Sequence, residues 1–163
     1  MSKIVLKSVL AVAVLGFVLM FLSCQKGGKM IIGTWKYKNV EIRDFSTTNP
    51  LIEGGLRMGL SMMLPRFVDE MFEGTIEFTK KGKAINQNWG AATTYKANDG
   101  KLVITFDDGK VWNLNYSISD KKKMYWDANV LEIFSEEIFE GISQSGIDLE
   151  IKKFVVRLTF DKE

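Results

Sequence analysis

The 163-residue chain carries 22 basic and 20 acidic side chains, no histidine and one cysteine. Without histidine there is no Ser-His-Asp or Cys-His nucleophile and no neutral imidazole to bind a metal. A single thiol builds neither a thiolate zinc site nor an intramolecular disulfide. The near-balanced charge argues against nucleic acid as a partner.

In chain order, Lys3 and Lys7 form a positive start, and 14 uncharged residues follow from Val9 to Leu22. A membrane-crossing helix needs roughly 20 apolar residues. A secretory core needs about 7–15, followed by small residues at the cleavage point. Residues 1–23 are therefore predicted to be a signal peptide, with an uncleaved anchor as the other reading. Ser23 before Cys24 resembles the lipobox of bacterial lipoproteins, with Phe21 and Leu22 departing from its usual residues. That resemblance implies a lipidated Cys24, carrying palmitate-type chains and tethering the protein to a membrane. Two or more chains, at about 0.8 kcal/mol per buried CH₂, make such an anchor durable. Residues 24–30 then read as the lipidated cysteine and a flexible tether containing Gly27 and Gly28. The signal holds two of the 22 basic residues and no acidic one, so the rest of the chain is charge-neutral. Residues 31–163 have the size of one domain with its own core.

Alternating apolar residues separated by turn signals dominate this domain. Leu102, Ile104 and Phe106 share one parity, and Trp112, Leu114, Tyr116 and Ile118 share another, with polar residues between them. Such a period of two is the mark of strands with one buried face. The Asn-Asp-Gly at 98–100 and Asp-Asp-Gly at 107–109 supply the positive φ that tight hairpins require. Eight strands are predicted, at about 31–44, 74–80, 83–89, 92–97, 101–107, 110–118, 122–128 and 148–161. Consecutive hairpins of this number predict an all-β fold with helical insertions, an eight-stranded antiparallel up-and-down barrel. Trp35 and Tyr37 differ in parity from Val40 and Ile42, which predicts a bulge near Lys38–Asn39.

Two segments have helical spacing instead. In about 51–73, Ile52, Leu56, Leu60, Met63, Phe67 and Met71 recur at steps of three and four, predicting one apolar face. Pro65 is expected to divide this segment into two short helices. In 130–142, Leu131, Phe134, Ile138 and Ile142 form the apolar side of a second insertion.

The carboxylate pairs Asp107–Asp108 and Glu136–Glu137 read as turn and surface residues, no phosphate loop is present, and the chain is not predicted to be an enzyme. No cofactor or metal is implied. What remains is aromatic. Trp35, Tyr37, Phe78, Tyr95, Trp112, Tyr116 and Trp126 are candidates for the barrel interior. Met63 and Phe67 are candidates for a lid over its mouth. Two readings stay open: a filled core, or a lined cavity for a small apolar ligand. The segment around 51–73 likewise reads as a lid, a plug or a membrane-dipping helix.

At IIGTWKYKNVEI the chain resembles the lipocalin-like lipoproteins of Gram-negative bacteria, of the Bacteroidetes type, in which a Gly-x-Trp stretch opens the first strand. Gly33, Thr34 and Trp35 match that stretch. The hairpins in TYKANDGKLVITFDDGKVWNLNYSIS and the closing VRLTFDKE extend the likeness. The resemblance implies a lipid-anchored protein of the cell envelope, at the outer membrane on its periplasmic or outer face, binding a small apolar or amphipathic ligand. A partner-binding or structural module with a filled core is the alternative. It also implies an arginine against Trp35 near the last strand. Arg157 is the candidate, although Phe154, Val156, Leu158 and Phe160 claim the inward parity there. The family's Thr-Asp-Tyr motif is absent.

Overall fold

The computed structural model describes residues 30–133 and 150–163. The signal peptide, Cys24 and most of the expected 130–142 helix lie outside these residues. The elements are β1 (Gly33–Thr47), α1 (Pro50–Met71), β2 (Thr75–Phe78), β3 (Ala84–Ile85), β4 (Thr94–Asn98), β5 (Lys101–Thr105), β6 (Val111–Ser119), β7 (Lys123–Asn129), α2 (Val130–Ile133) and β8 (Ile151–Lys162). Each strand from β4 to β8 pairs antiparallel with the next, and β8 returns to β1 to give the order β3-β2-β1-β8-β7-β6-β5-β4. A bridge between Lys83 and Thr94 nearly closes the sheet into a barrel. Ala84 N–H donates to Thr93 O at 3.1 Å and Tyr95 N–H to Gly82 O at 2.8 Å across the same seam.

The alternation read from the sequence is the alternation of burial. Trp112, Leu114 and Tyr116 on β6, Met124, Trp126 and Ala128 on β7, and Phe154, Val156, Leu158 and Phe160 on β8 all point inward and are buried. The β4–β5 hairpin turns through Asp99 and Gly100, both at positive φ, the conformation a two-residue turn needs to match strand twist. On β1 the register slips between Tyr37 and Asn39, and again between Ile42 and Asp44. These bulges carry Trp35, Tyr37, Val40, Ile42 and Phe45 to the core side in spite of their mixed parity.

At the start of β1, Trp35 is fully buried and its indole donates to Ile31 O at 2.6 Å. The cation over its ring is Lys162, with Nζ 5.2 Å from the centroid, and not Arg157. Arg157 faces outward, as its parity requires. It pairs with Asp127 through two bonds of 2.7 Å, and its Cζ stands 5.6 Å from the Tyr125 ring centroid.

Three further expectations are corrected. The segment with Pro65 is one helix of 22 residues, α1. A proline inside a helix costs about 3 kcal/mol. Pro65 sits on the exposed side, while Leu64, Val68 and Phe72 are buried as one row running past it. Burying each of these is worth about 1.5–3 kcal/mol, so the row outweighs the break. The buried row is also not the expected one: Met63 is 71% exposed, while Leu56, Leu60, Phe67 and Met71 flank the row half-buried. The third strand, expected over 83–89, is confined to Ala84–Ile85. The buried Asn86 takes over there, its Nδ2 donating to Glu73 O at 3.1 Å and to Thr75 O at 3.0 Å, while its Oδ1 accepts from Asn88 N–H at 2.9 Å. A side chain that answers backbone groups in this way replaces the ladder with a loop.

Candidate functional site

The helix α1 begins at Asn49, whose side chain accepts from Leu51 N–H at 3.1 Å. It lies against β1, where Arg57 Nη2 reaches Ile42 O at 3.2 Å. Its C-terminal end carries Phe72 into the barrel. The Phe72 ring lies between 5.6 and 6.2 Å from five others: Tyr37, Trp89, Trp112, Trp126 and Phe160. Separations of 4.5–7 Å are those at which aromatic pairs attract beyond simple burial. Beneath the helix a cavity of about 10 Å³ remains among Leu64, Val68, Phe72, Trp126 and their neighbours, at the threshold for holding a single water. Among the described residues the space under α1 is a packed core, with the helix acting as a plug.

The sequence-derived candidates divide accordingly. Trp35, Phe78, Trp112, Tyr116 and Trp126 are buried, and Tyr37 and Tyr95 are half-buried against the same core. Tyr95 Oη donates to Thr79 O at 2.9 Å. Tyr37 Oη, Tyr116 Oη and Trp126 Nε1 are buried with no hydrogen-bond partner among the described residues. Burial, with Asp69 nearby, pushes the Tyr37 phenol well above its ordinary range. Burial does the same to Tyr95, with Tyr116 contributing, and to Tyr116, with Asp99 contributing. Met63 projects into solvent and lines neither the interior nor the mouth.

Phe67 and Trp112 belong to a second place, a groove of about 500 Å³ between the C-terminal half of α1, the loop after β3 and the β5–β6 turn. Three rings shape it. Trp89 and Phe106 lie 5.4 Å apart at 76°, Trp89 and Trp112 6.0 Å apart at 83°, and Phe106 and Trp112 4.6 Å apart at 66°. The rings thus stand nearly perpendicular to one another. Glu70, Asp107 and Asp108 also line the groove, and among the described residues no lysine or arginine does.

The loop carrying Trp89 is fixed at both ends. Asn86 ties it to the end of α1 and to β2, and Asn88 Nδ2 donates to Glu70 O at 2.6 Å. On the other side Asp107 accepts from Ala92 N–H at 3.1 Å and from Thr93 Oγ1 at 3.3 Å. A Cβ on Gly90 would fall 2.2 Å from the Asp107 carboxylate, so glycine is what admits this clamp. Asp107 is therefore more than the solvated turn residue its Asp-Asp-Gly context suggests. Trp89 and Asn86 carried no sequence signal of their own. Phe72 did: Leu64, Val68 and Phe72 recur at steps of four. Among the described residues, no group of three or more acidic or cysteine side chains is placed to hold a metal ion.

No protein-family model, no curated protein and no solved structure matches this chain.

Proposed function

We propose that this chain is a lipid-anchored, non-enzymatic binding module of the bacterial cell envelope, built on a lipocalin-like barrel. It takes a small amphipathic molecule in the groove at the mouth rather than inside the barrel. The observation that carries the reading is the contrast between a plugged interior and an open groove of about 500 Å³ walled by Trp89, Phe106 and Trp112. Concave, mostly aromatic sites with a few fixed polar groups are the usual form of small-molecule sites. The Gly33-Thr34-Trp35 resemblance and the signal-like segment before Cys24 support the family and the anchor.

The test is uptake of N-phenyl-1-naphthylamine, a neutral apolar dye, by the full-length protein. Phe67→Asp, at the groove wall, is expected to weaken uptake about tenfold or more, since it sets a charge against apolar surface. Met63→Asp, on the solvent side of α1, is expected to leave uptake unchanged. Equal uptake by wild type and a folded Phe67→Asp variant sinks the groove reading.

A second reading rests on the outer side of α1. Leu51 is 94% exposed, Met58 70% and Met62 75%, and their spacing of seven and four places them on one helical face. An apolar stripe of adaptable thioethers suits a protein partner. A photo-crosslinker at Met58 or Met62 in the native envelope is expected to give a discrete protein adduct that one at Glu77 does not. Adducts to lipid alone, or none, reject it.

A further inference from the structure

We infer that the outer side of α1, from Pro50 to Arg66, rests in the headgroup layer of an anionic bilayer. The inference goes beyond the groove and rests on the anchor reading of Cys24. Three features of the helix point the same way.

The first is what α1 shows to solvent. Leu64, Val68 and Phe72 are buried against the barrel, yet Leu51, Met58 and Met62 stand outward at 94%, 70% and 75% exposure. Their steps of seven and four keep them on one face. The helix therefore carries more apolar surface than the fold uses. Among the described residues no helix is long and apolar enough to cross a membrane, so α1 is suited to lie along a bilayer surface rather than through it.

The second is the sign of the charge. From Pro50 to Arg66 the one acid is Glu53, which is half-buried and accepts from Thr47 N–H at 3.1 Å. Arg57 and Arg66 are exposed on this stretch, and Arg66 forms no ion pair among the described residues. Basic residues flanking an apolar helix face attract anionic headgroups. The exposed acids of the helix begin at Asp69 and Glu70, in its last turns, and the stripe ends there. Glu70 borders the groove, so the same repulsion keeps the groove on the water side.

The third is glycine. A Cβ on Gly54, Gly55 or Gly59 would meet nothing within 4 Å. No close approach within the described residues calls for them, and glycine is a poor helix former in water. On a bilayer they let the helix settle close to the headgroups.

The anchor and this face also reach one surface. Glu53 meets Thr47 and Arg57 meets Ile42 near the start of α1, while Phe72 stacks 5.8 Å from Tyr37 at its end. The helix thus runs back along β1, and the start of β1 lies beside the end of α1. Met62 precedes Phe72 by about 15 Å of helix. The chain from Cys24 to Met30 spans at most about 22 Å, which holds α1 near the lipid that carries it. A protein partner fits this face less well. A stable protein interface buries about 800 Å² on each side, and three side chains among glycines offer much less. An anchored helix needs no such area, because the lipid already holds it at the surface.

The experiment places a dansyl amino acid at Met62 of the full-length protein or, as control, at Ser117, exposed on β6. Each protein is reconstituted in phosphatidylcholine vesicles with about one-third phosphatidylglycerol. The vesicles include phosphatidylcholine spin-labelled near the headgroup end of one acyl chain, which quenches a dansyl group entering that layer. About twofold or stronger quenching is expected at Met62 and none at Ser117. Omitting phosphatidylglycerol, or Arg66→Gln, is expected to weaken it, and Met58→Asp to remove it. Protein that floats with the vesicles but is quenched equally at the two positions overturns the surface and leaves the anchor standing. Protein that does not float overturns both. Quenching at Met62 that is indifferent to phosphatidylglycerol overturns the anionic assignment. A Met62 probe unquenched in these vesicles but shielded from iodide in the native envelope gives the face to a protein partner instead. The comparison of Met62 with Ser117 uses two exposed positions, so it does not depend on a destabilising variant.

Discussion

The rings around Phe72 and the rings around Trp89 are built from the same side-chain chemistry and meet through Trp89 and Trp112, yet one cluster is closed and the other borders a groove. Around Phe72, α1 delivers the last ring into the centre, and little more than 10 Å³ is left beneath the helix. Around Trp89, the neighbouring helix turn offers Phe67 and Met71 only as walls, and about 500 Å³ stays open. Aromatic content therefore does not distinguish a core from a groove. What distinguishes them is whether a helix side chain completes the cluster or merely borders it.

The largest effect is expected from emptying the filled cluster. Phe72→Ala removes a ring with five aromatic neighbours, and a loss of about 3–5 kcal/mol in denaturant unfolding is expected. Trp89→Ala, at a half-buried position with one open side, is expected to cost only about 1–2 kcal/mol. If the two cost the same, the groove ring is structural and the contrast collapses. A smaller and gradual effect is expected with pH. The phenols of Tyr37, Tyr95 and Tyr116 are raised above their ordinary value in the folded protein. Above about pH 10 the unfolded chain loses these protons while the folded one keeps them, so stability is full below that pH and falls as pH rises further. Thermal melts from pH 8 to 11 check this. Tyr37→Phe removes the phenol and should flatten the decline, and an unchanged slope would show that burial of this group is not its cause.

Much of the architecture was legible because a strand's code is local. In β6, every second residue from Trp112 to Tyr116 is buried, and the turns on either side name themselves through glycine, aspartate and positive φ. The slip near Lys38–Asn39 was legible for the same reason, since only an extra residue reconciles Trp35 with Val40. The register of α1 was not. Two rows of apolar residues compete on that helix, and Pro65 argues for a break that the Leu64–Val68–Phe72 contact with the barrel overrides. The groove was legible only in fragments. Phe67 and Trp112 were candidates for lid and interior, but Trp89 read as the end of a strand and Asp107 as a turn residue. Their partners lie 14 to 23 residues away in sequence, and no local pattern encodes such contacts.

The sequence by itself determined that this domain is a meander of strands with a helical insertion, and that its chemistry excludes histidine and thiolate sites. Those properties follow from side-chain periodicity, turn preference and composition, which act within a few residues. Only the tertiary structure decided which side of α1 faces the barrel, that Lys162 rather than Arg157 covers Trp35, and that an aromatic-walled groove lies between α1, the loop after β3 and the β5–β6 turn. Each of these depends on which long-range packing buries the most apolar surface while still answering every backbone group, a competition settled between segments and not within any one of them.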